Sequence, residues 1–387
     1  MNDLPKYDTN KFISNHLFKM LYNSSKNAET KWLQNEADFV SSENIVYSEK
    51  CSMDHVNSHN LIDEEIRHLI ESSGCFEKKY VLFLGENQYN VYLSYPSKNK
   101  RKKNEIEDYF EDCIMKIYLW LSIVQPYIRE NCSKIMDIFI WFSSHKKKID
   151  SNNKILGTLH VNSAFTTSCQ TSTQICLYRK EEWFKVFIHE TFHNLGLDFS
   201  DVDHEQNDLL MTKLFNIENS NSSFRIYESY CEVWAEILNG FFVSFFQCEN
   251  EPACKNKFNK YMQKQIGFSV FQLVKILNYY HSNYSEFINK KTPIVKFKEN
   301  TYVFSYYIVK TILLFHSVDF EKWCQDNNVN IFQFDRKNQN VLKYGRLIKT
   351  HYNKKPLLEY IQNMEKASSK FILNKDLLGT MRMTVEE

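Results

Sequence analysis

The segment from Glu181 to Gly196 constrains this chain more than any other, because it places two histidines four residues apart with a glutamate between them. In an α-helix such residues lie on one face, so His189 and His193 can bind a single metal ion. The carboxylate of Glu190 then lies beside that ion, where it can accept a proton from water without being a ligand. The spacing predicts a zinc site, with paired surface or core histidines as the structural alternative.

The same segment carries signals for both ends of a helix. Glu181 and Glu182 suit the positive N-terminal end of the helix dipole, and Gly196 suits a left-handed C-terminal cap. We therefore expect one helix across the segment.

A second predicted helix, Arg225–Gly240, offers a third ligand. Glu228, Glu232 and Glu236 share one face of it, and apolar residues form the other. The solvated face of an ordinary amphipathic helix is the structural alternative. A catalytic zinc ion, however, needs three protein ligands and one open position, and the first helix supplies only two of them.

Together the two segments resemble the gluzincin branch of zinc metallopeptidases, whose pattern is His-Glu-x-x-His followed some tens of residues later by Glu-x-x-(Ser/Ala)-(Asp/Glu). Here the second element is Glu232-Val233-Trp234-Ala235-Glu236, and its ending is similar to the Phe-Ala-Glu of lethal-factor-like members. The interval from His193 to Glu232 is within the family's range. The resemblance implies that Glu232 is the third zinc ligand and that Glu236 orients a ligand histidine.

The metzincin pattern, His-Glu-x-x-His-x-x-Gly-x-x-(His/Asp), competes with this assignment. Gly196 matches its glycine, but the next required position holds Phe199, which cannot bind metal. Asp198 and Asp201 lie off the required spacing, and with His204 they are outside candidates. We therefore rank the gluzincin pattern first.

The order of predicted elements resembles an α+β zincin fold, with a small mixed sheet, the active-site helix and a mainly helical C-terminal subdomain. We expect a hairpin around Gly85, a long helix over 105–127, and extended segments at 135–142, 156–166 and 174–178. The predicted boundaries are an N-terminal extension at 1–50, an upper zincin subdomain at 51–200, a helical lower subdomain at 201–366 and a loosely held tail at 367–387.

The resemblance also implies how a substrate binds. Zincins bind the substrate main chain along an edge strand above the zinc, and Leu159–Phe165 is the candidate, because Asn162 and Ala164 resemble the Asn-Ala edge of thermolysin-like enzymes. Zincins commonly hydrogen-bond the oxyanion with a Tyr or His of the lower subdomain. The sequence does not rank these candidates, each of which is also explained as a packed aromatic: Tyr227, Tyr230, His281, Tyr306 and Tyr307.

We expect a zinc-dependent metallopeptidase with one Zn²⁺ per chain. Zinc held by two neutral imidazoles and a carboxylate keeps positive charge, so it acidifies a water molecule and polarises the scissile carbonyl. Glu190 is the expected general base. The alternative is a non-catalytic, zinc-stabilised binding or virion structural protein on a zincin fold. A structural zinc site has no use for a general base, so Glu190 favours the enzyme.

Composition limits the partners to be expected. A net charge of +1 gives no whole-protein field for nucleic acid or acidic lipid, and the basic run 98–103 is interpreted as a solvated loop. No apolar run approaches the roughly 20 residues that span a bilayer. We expect a peptide or protein substrate, with neither a membrane nor a nucleic acid as partner.

Composition also suggests a location. Of the ten cysteines only Cys248 and Cys254 are close enough in sequence to suggest a pair, and the N-terminus lacks the features of a signal peptide. We therefore expect a soluble intracellular protein in a reducing compartment, cytoplasmic or in a virion. Abundant Asn, Lys, Tyr and Phe with few Gly and Pro resemble the proteins of AT-rich large DNA viruses.

Overall fold

The computed structural model describes residues 5, 7, 9–34, 37–41, 44–52, 61–98, 101–149, 155–219, 223–368 and 375–385. The chain forms two compact units. The sheet unit comprises residues 16–146 and 162–197, and the helical unit comprises residues 1–15, 147–161 and 198–387. Lys100 of the basic run and Asn60, where a helix was expected to start, lie outside the described residues.

The α-helices, in chain order, are α1 (Asn15–Leu33), α2 (Glu64–Glu71), α3 (Lys103–Val124), α4 (Thr158–Val161), α5 (Trp183–Asn194), α6 (Glu205–Leu214), α7 (Tyr227–Phe245), α8 (Glu251–Tyr279), α9 (Tyr284–Phe287), α10 (Lys310–Phe315), α11 (Ser317–Asn327), α12 (Asn338–His351), α13 (Lys355–Ser368) and α14 (Lys375–Gly379). The strands are β1 (Phe39–Ser41), β2 (Val46–Ser48), β3 (Cys75–Leu84), β4 (Asn87–Pro96), β5 (Ile135–Trp141), β6 (Ala164–Thr166), β7 (Ser172–Leu177), β8 (Ile217–Asn219) and β9 (Val295–Phe297).

The sheet unit is built on a mixed sheet with the strand order β1-β3-β4-β5-β7-β6, and β2 also pairs with β3. β3 and β4 form the predicted hairpin, in which Gly85 has a φ of 59° that favours glycine. β4, β5 and β7 run parallel, and β5 is a run of apolar strand-forming residues, as a covered parallel strand requires. The mixture of helices and a mixed sheet is consistent with the predicted α+β class.

β6 is the edge strand on one side of this sheet and runs antiparallel to β7. α5, the helix with the two histidines, packs on β6 and β7, and α3 packs on β3, β4 and α5. The strand and helix order therefore places α5 against the β6 end of the sheet. Two parts of the segment predicted as an N-terminal extension, residues 39–41 and 46–48, contribute β1 and β2 to the sheet.

The helical unit packs α7 against α8, and α10 and α13 also contact α8. A π-helical stretch, Phe304–Val309, precedes α10 and contacts α7. Nearly every residue of α7 is buried, including its three glutamates. The structural alternative of a solvated polar face on this helix is therefore wrong.

Two expectations about extended or loose segments are wrong. Residues 156–166 are not continuously extended: α4 interrupts them, because Nδ1 of His160 accepts a hydrogen bond from the Gly157 N–H at 3.1 Å and closes a turn. The described part of the tail is packed in the helical unit: Met381 is fully buried, and its N–H donates to the carbonyl of Lys147 at 3.0 Å.

The suggested pairing of Cys248 with Cys254 is also wrong. Neither Cys248 nor Cys254 forms a disulfide among the described residues. The disulfides of the described sheet unit are Cys51–Cys75 and Cys132–Cys169. Their partners are 24 and 37 residues apart in sequence, so only the fold brings them together. Disulfides persist in oxidising surroundings, so these bonds do not support the predicted reducing compartment.

Within the described residues, no helix combines the length and the apolar composition that crossing a membrane requires.

Candidate metal centre

The two histidines of α5 face each other. Nε2 of His189 lies 3.2 Å from Nε2 of His193, and the two rings are inclined at 72°. Two nitrogens bound to one tetrahedral zinc ion at about 2.05 Å lie roughly 3.3 Å apart. The observed separation therefore fits two ligands of one ion. Glu190, on the same helix, is 9% exposed, so little bulk water competes for its carboxylate.

Polar side chains in the last turn of α5 fix the helix in the sheet unit. Asn194 Nδ2 donates to Thr166 Oγ1 of β6 at 3.0 Å, and Asn194 Oδ1 accepts from Thr173 Oγ1 of β7 at 2.9 Å. Thr191 Oγ1 accepts from the indole N–H of Trp120 at 2.9 Å. These bonds set the rotation of the helix, and with it the direction of the histidine pair, relative to the edge strand.

The predicted C-terminal cap is confirmed. Gly196 has a φ of 68°, and its N–H donates to the carbonyl of His193 at 3.2 Å. The N–H of Leu197 donates to the carbonyl of Phe192 at 2.8 Å. This pair of bonds is the Schellman motif, which satisfies carbonyls at the end of a helix.

The start of α5 differs from the prediction. The helix begins at Trp183, and Glu182 precedes it with a left-handed φ of 61°, so the acidic residues lie before the first turn. Trp183 packs edge-on against Phe142, with ring centroids 5.7 Å apart. An aromatic contact thus holds the N-terminal end of the helix against the sheet unit.

We expect Gly196→Ala to lower the free energy of unfolding of the sheet unit by about 1–3 kcal/mol, because a left-handed non-glycine residue is strained. An added Cβ would also lie 2.7 Å from Sγ of Cys132 and 3.1 Å from Cβ of Arg129. Chemical denaturation measures the loss. Gly379→Ala is the control, because its Cβ would meet nothing within 4 Å. Equal stability of the two variants would contradict the role given to Gly196.

The predicted carboxylates lie on α7 in the helical unit, at successive turns. Glu228, Glu232 and Glu236 are all buried. Oε1 of Glu236 lies 3.2 Å from Nζ of Lys310, and neither side chain is more than 1% exposed. Nζ of Lys310 also donates to Ser269 Oγ at 3.1 Å. No local sequence pattern indicates this ion pair, because Lys310 stands alone in an apolar run.

The structure separates the oxyanion candidates, which the sequence did not rank. The hydroxyls of Tyr230 and Tyr307 are buried and donate to the backbone carbonyls of Phe332 and Met381, at 2.7 and 2.6 Å. These bonds and their burial give both tyrosines a packing role in the helical unit.

The other three candidates differ in exposure. Tyr227 is buried at the start of α7, and His281 is exposed just after α8, with a left-handed φ of 55°. Tyr306 is half-buried in the π-helical stretch, and its hydroxyl donates to Oε2 of Glu228 at 3.1 Å. Single π-helical turns occur often at functional sites. Tyr306 is therefore the best placed of the five relative to the α7 carboxylates.

Arg336 contacts two of the metzincin candidates within the helical unit. Oδ1 of Asp201 lies 2.9 Å from Nε of Arg336, which also donates to the backbone carbonyl of Asp198 at 3.0 Å. Burial lowers the pKa of His204. Phe199 stacks on Phe334 with ring centroids 4.1 Å apart, as expected of a core residue.

The predicted substrate-binding residues lie at the start of the edge strand. Ala164 is the first residue of β6 and pairs with Leu177 of β7. Asn162 precedes the strand, and Leu159 lies in α4, so the strand is shorter than Leu159–Phe165 and begins later. Within the described chain no other strand pairs with the outer edge of β6.

No family model and no solved structure matches this chain. It is similar to an uncharacterized protein of Acanthamoeba polyphaga mimivirus, with 26% identity over 223 residues. The match covers 51% of this chain and 54% of the mimivirus protein, so it spans about half of each. The similarity supports the viral association that the composition suggested.

Proposed function

We propose that this protein is a zinc-dependent metallopeptidase of the gluzincin type. His189, His193 and a glutamate of α7 hold the ion, and Glu190 is the general base. The observation that carries the proposal is the 3.2 Å separation of the two imidazole Nε2 atoms on α5. Side-chain contacts with the sheet unit hold both ends of this helix. The glutamate between them gives the site a group for proton transfer that a purely structural zinc site does not need.

Zinc, when bound, supplies a Lewis acid that acidifies water and polarises a peptide carbonyl. Glu190 accepts a proton from the attacking water on its carboxylate and passes it to the nitrogen of the leaving amine. Tyr306 is the proposed donor to the oxyanion, because its hydroxyl already lies beside an α7 carboxylate.

The outer edge of β6 is the proposed binding site for the substrate backbone. A peptide in extended conformation adds to a sheet edge through main-chain hydrogen bonds, and such binding needs an edge that no other strand occupies. Asn194 joins β6 to the end of α5. A peptide bound along Ala164–Thr166 is therefore held at a fixed position relative to the histidine pair.

Metal analysis tests the proposal. We expect this site to keep one zinc ion through exhaustive dialysis of the parent protein, and the double variant His189→Ala, His193→Ala to contain one zinc ion fewer. His68→Gln is the control, because His68 is an exposed histidine of α2. A hydrogen bond between two neutral imidazoles would also fit 3.2 Å. Absence of tightly bound metal from the parent, or an equal zinc content in the parent and the double variant, would select that hydrogen bond and overturn the proposal.

A further inference from the structure

A second group of metal-binding side chains lies wholly within the helical unit, where α10, α11 and α12 meet. His316 stands between α10 and α11, Asp319 is in the first turn of α11, and His351 is the last residue of α12. One ring nitrogen of each histidine and one carboxylate oxygen of Asp319 lie within 4.8 Å of one another. The two imidazole centroids are 4.5 Å apart.

The hydrogen bonds of His351 fix its tautomer. Nδ1 lies 2.8 Å from the backbone carbonyl of Leu347, which can only accept, so Nδ1 carries a proton. Nε2 lies 2.8 Å from Oδ2 of Asp319. In the neutral ring that nitrogen presents a lone pair to a carboxylate oxygen, and two acceptors at this distance repel. A cation must lie between them, either a proton on Nε2 or a metal ion.

His316 distinguishes these two occupants. An ion pair between His351 and Asp319 needs no third group, whereas a metal ion needs more ligands. Nε2 of His316 is buried and has no hydrogen-bond partner among the described residues. A buried imidazole nitrogen that makes no hydrogen bond can offer its lone pair to a metal ion.

We propose that His316, Asp319 and His351 form a second metal site, for a divalent first-row transition ion such as zinc. Two imidazoles and one carboxylate are a common zinc ligand set, and imidazole also suits copper and nickel. Asp319 is exposed, so the ion enters from solvent and keeps an open coordination position. Metal bound here joins the end of α12 to the start of α11.

The charge of Lys354 provides a further test of the proposed metal site. Its Nζ lies 3.5 Å from Oδ2 of Asp319, so its charge opposes a cation bound by that carboxylate. The Lys354 side chain is 39% exposed and can turn into solvent when the ion binds. Lys354→Met is therefore expected to raise the affinity for zinc roughly 3- to 10-fold, as removal of a nearby like charge near a protein surface does.

Equilibrium dialysis of the full chain against buffered Zn²⁺ tests the site. We expect His316→Gln, Asp319→Asn and His351→Gln each to bind one zinc fewer than the parent, with at least a roughly 10-fold loss of affinity. His68→Gln should match the parent. All three substitutions leave α5 unchanged, so this result is independent of the proposed peptidase site. Zinc should also raise the unfolding temperature of the parent more than that of the three variants.

Each other outcome overturns the proposal. If the zinc count is unchanged in all three variants, the group is an ion pair bridged by a proton. If only His351→Gln and Asp319→Asn lose zinc, His316 is not a ligand. Should His351→Gln fail to fold, Asp319→Asn decides the count, because it changes an exposed side chain to one of nearly the same shape. Lys354 should oppose a cation bound by Asp319, so weaker zinc binding in Lys354→Met would mean that the ion does not bind at this carboxylate.

Discussion

Glu190→Gln is expected to bind zinc as the parent does and to lose essentially all peptide hydrolysis. The amide is nearly isosteric with the carboxylate but cannot accept the proton of the attacking water. A positioned general base typically contributes about 100- to 10,000-fold to the rate, so a loss of at least this size is expected in kcat. KM should change little, because the lost interaction acts in the chemical step.

The measurement requires a cleaved substrate, which a diverse peptide library read by mass spectrometry can supply. Glu64→Gln is the matched control, because it makes the same chemical change at an exposed position of α2. Equal rates in parent and Glu190→Gln protein would mean that the cleavage comes from a contaminant or another site. A parent that holds zinc but cleaves no peptide of the library would favour the non-catalytic, zinc-stabilised alternative.

The features that sequence predicted well depend on local interactions. The β3–β4 hairpin around Gly85, the strand β5 and the cap at Gly196 each follow from a few neighbouring residues. The C-terminal part of the chain was expected to be mainly helical, and α8 and α13 are among the helices found there. The coarse class, helices combined with a mixed sheet, was predictable for the same reason.

The features that sequence missed depend on contacts between distant segments. Lys310 meets Glu236 across 74 residues of sequence, and Cys132 meets Cys169 across 37. No local pattern encodes such pairs. The residues 156–166 were mistaken for a strand because the turn closed by His160 uses a side-chain nitrogen, which strand propensities do not represent. The spacing of the two histidines on α5 could be recognised from sequence, whereas the choice of Glu232 among the three glutamates of α7 depends on the family resemblance and stays a prediction.

The Glu236–Lys310 ion pair bears on that choice. In the arrangement implied by the gluzincin resemblance, Glu232 is the ligand and Glu236 orients a histidine. One carboxylate oxygen of Glu236 has a buried ammonium as its partner, which weakens the negative charge that an orienting carboxylate uses. Shifted back by one turn, the same spacing makes Glu228 the ligand and Glu232 the orienting carboxylate. The hydroxyl of Tyr306 then lies beside a ligand, where an oxyanion donor is needed.

We therefore expect Glu228→Ala to release zinc, and Glu232→Gln to weaken zinc affinity by about 10- to 100-fold, as loss of an orienting partner does. Glu236→Gln should keep the metal but lower the free energy of unfolding of the helical unit by about 3–5 kcal/mol, because it leaves the buried charge of Lys310 uncompensated. Competition with a zinc chelator measures the affinities, and chemical denaturation measures the stability. Release of zinc by Glu232→Ala with full retention in Glu228→Ala, together with weaker binding in Glu236→Gln, would restore the assignment made from sequence. Loss of the metal in Asp198→Ala or Asp201→Ala, with retention in Glu228→Ala and Glu232→Ala, would instead require a metzincin-like ligand set.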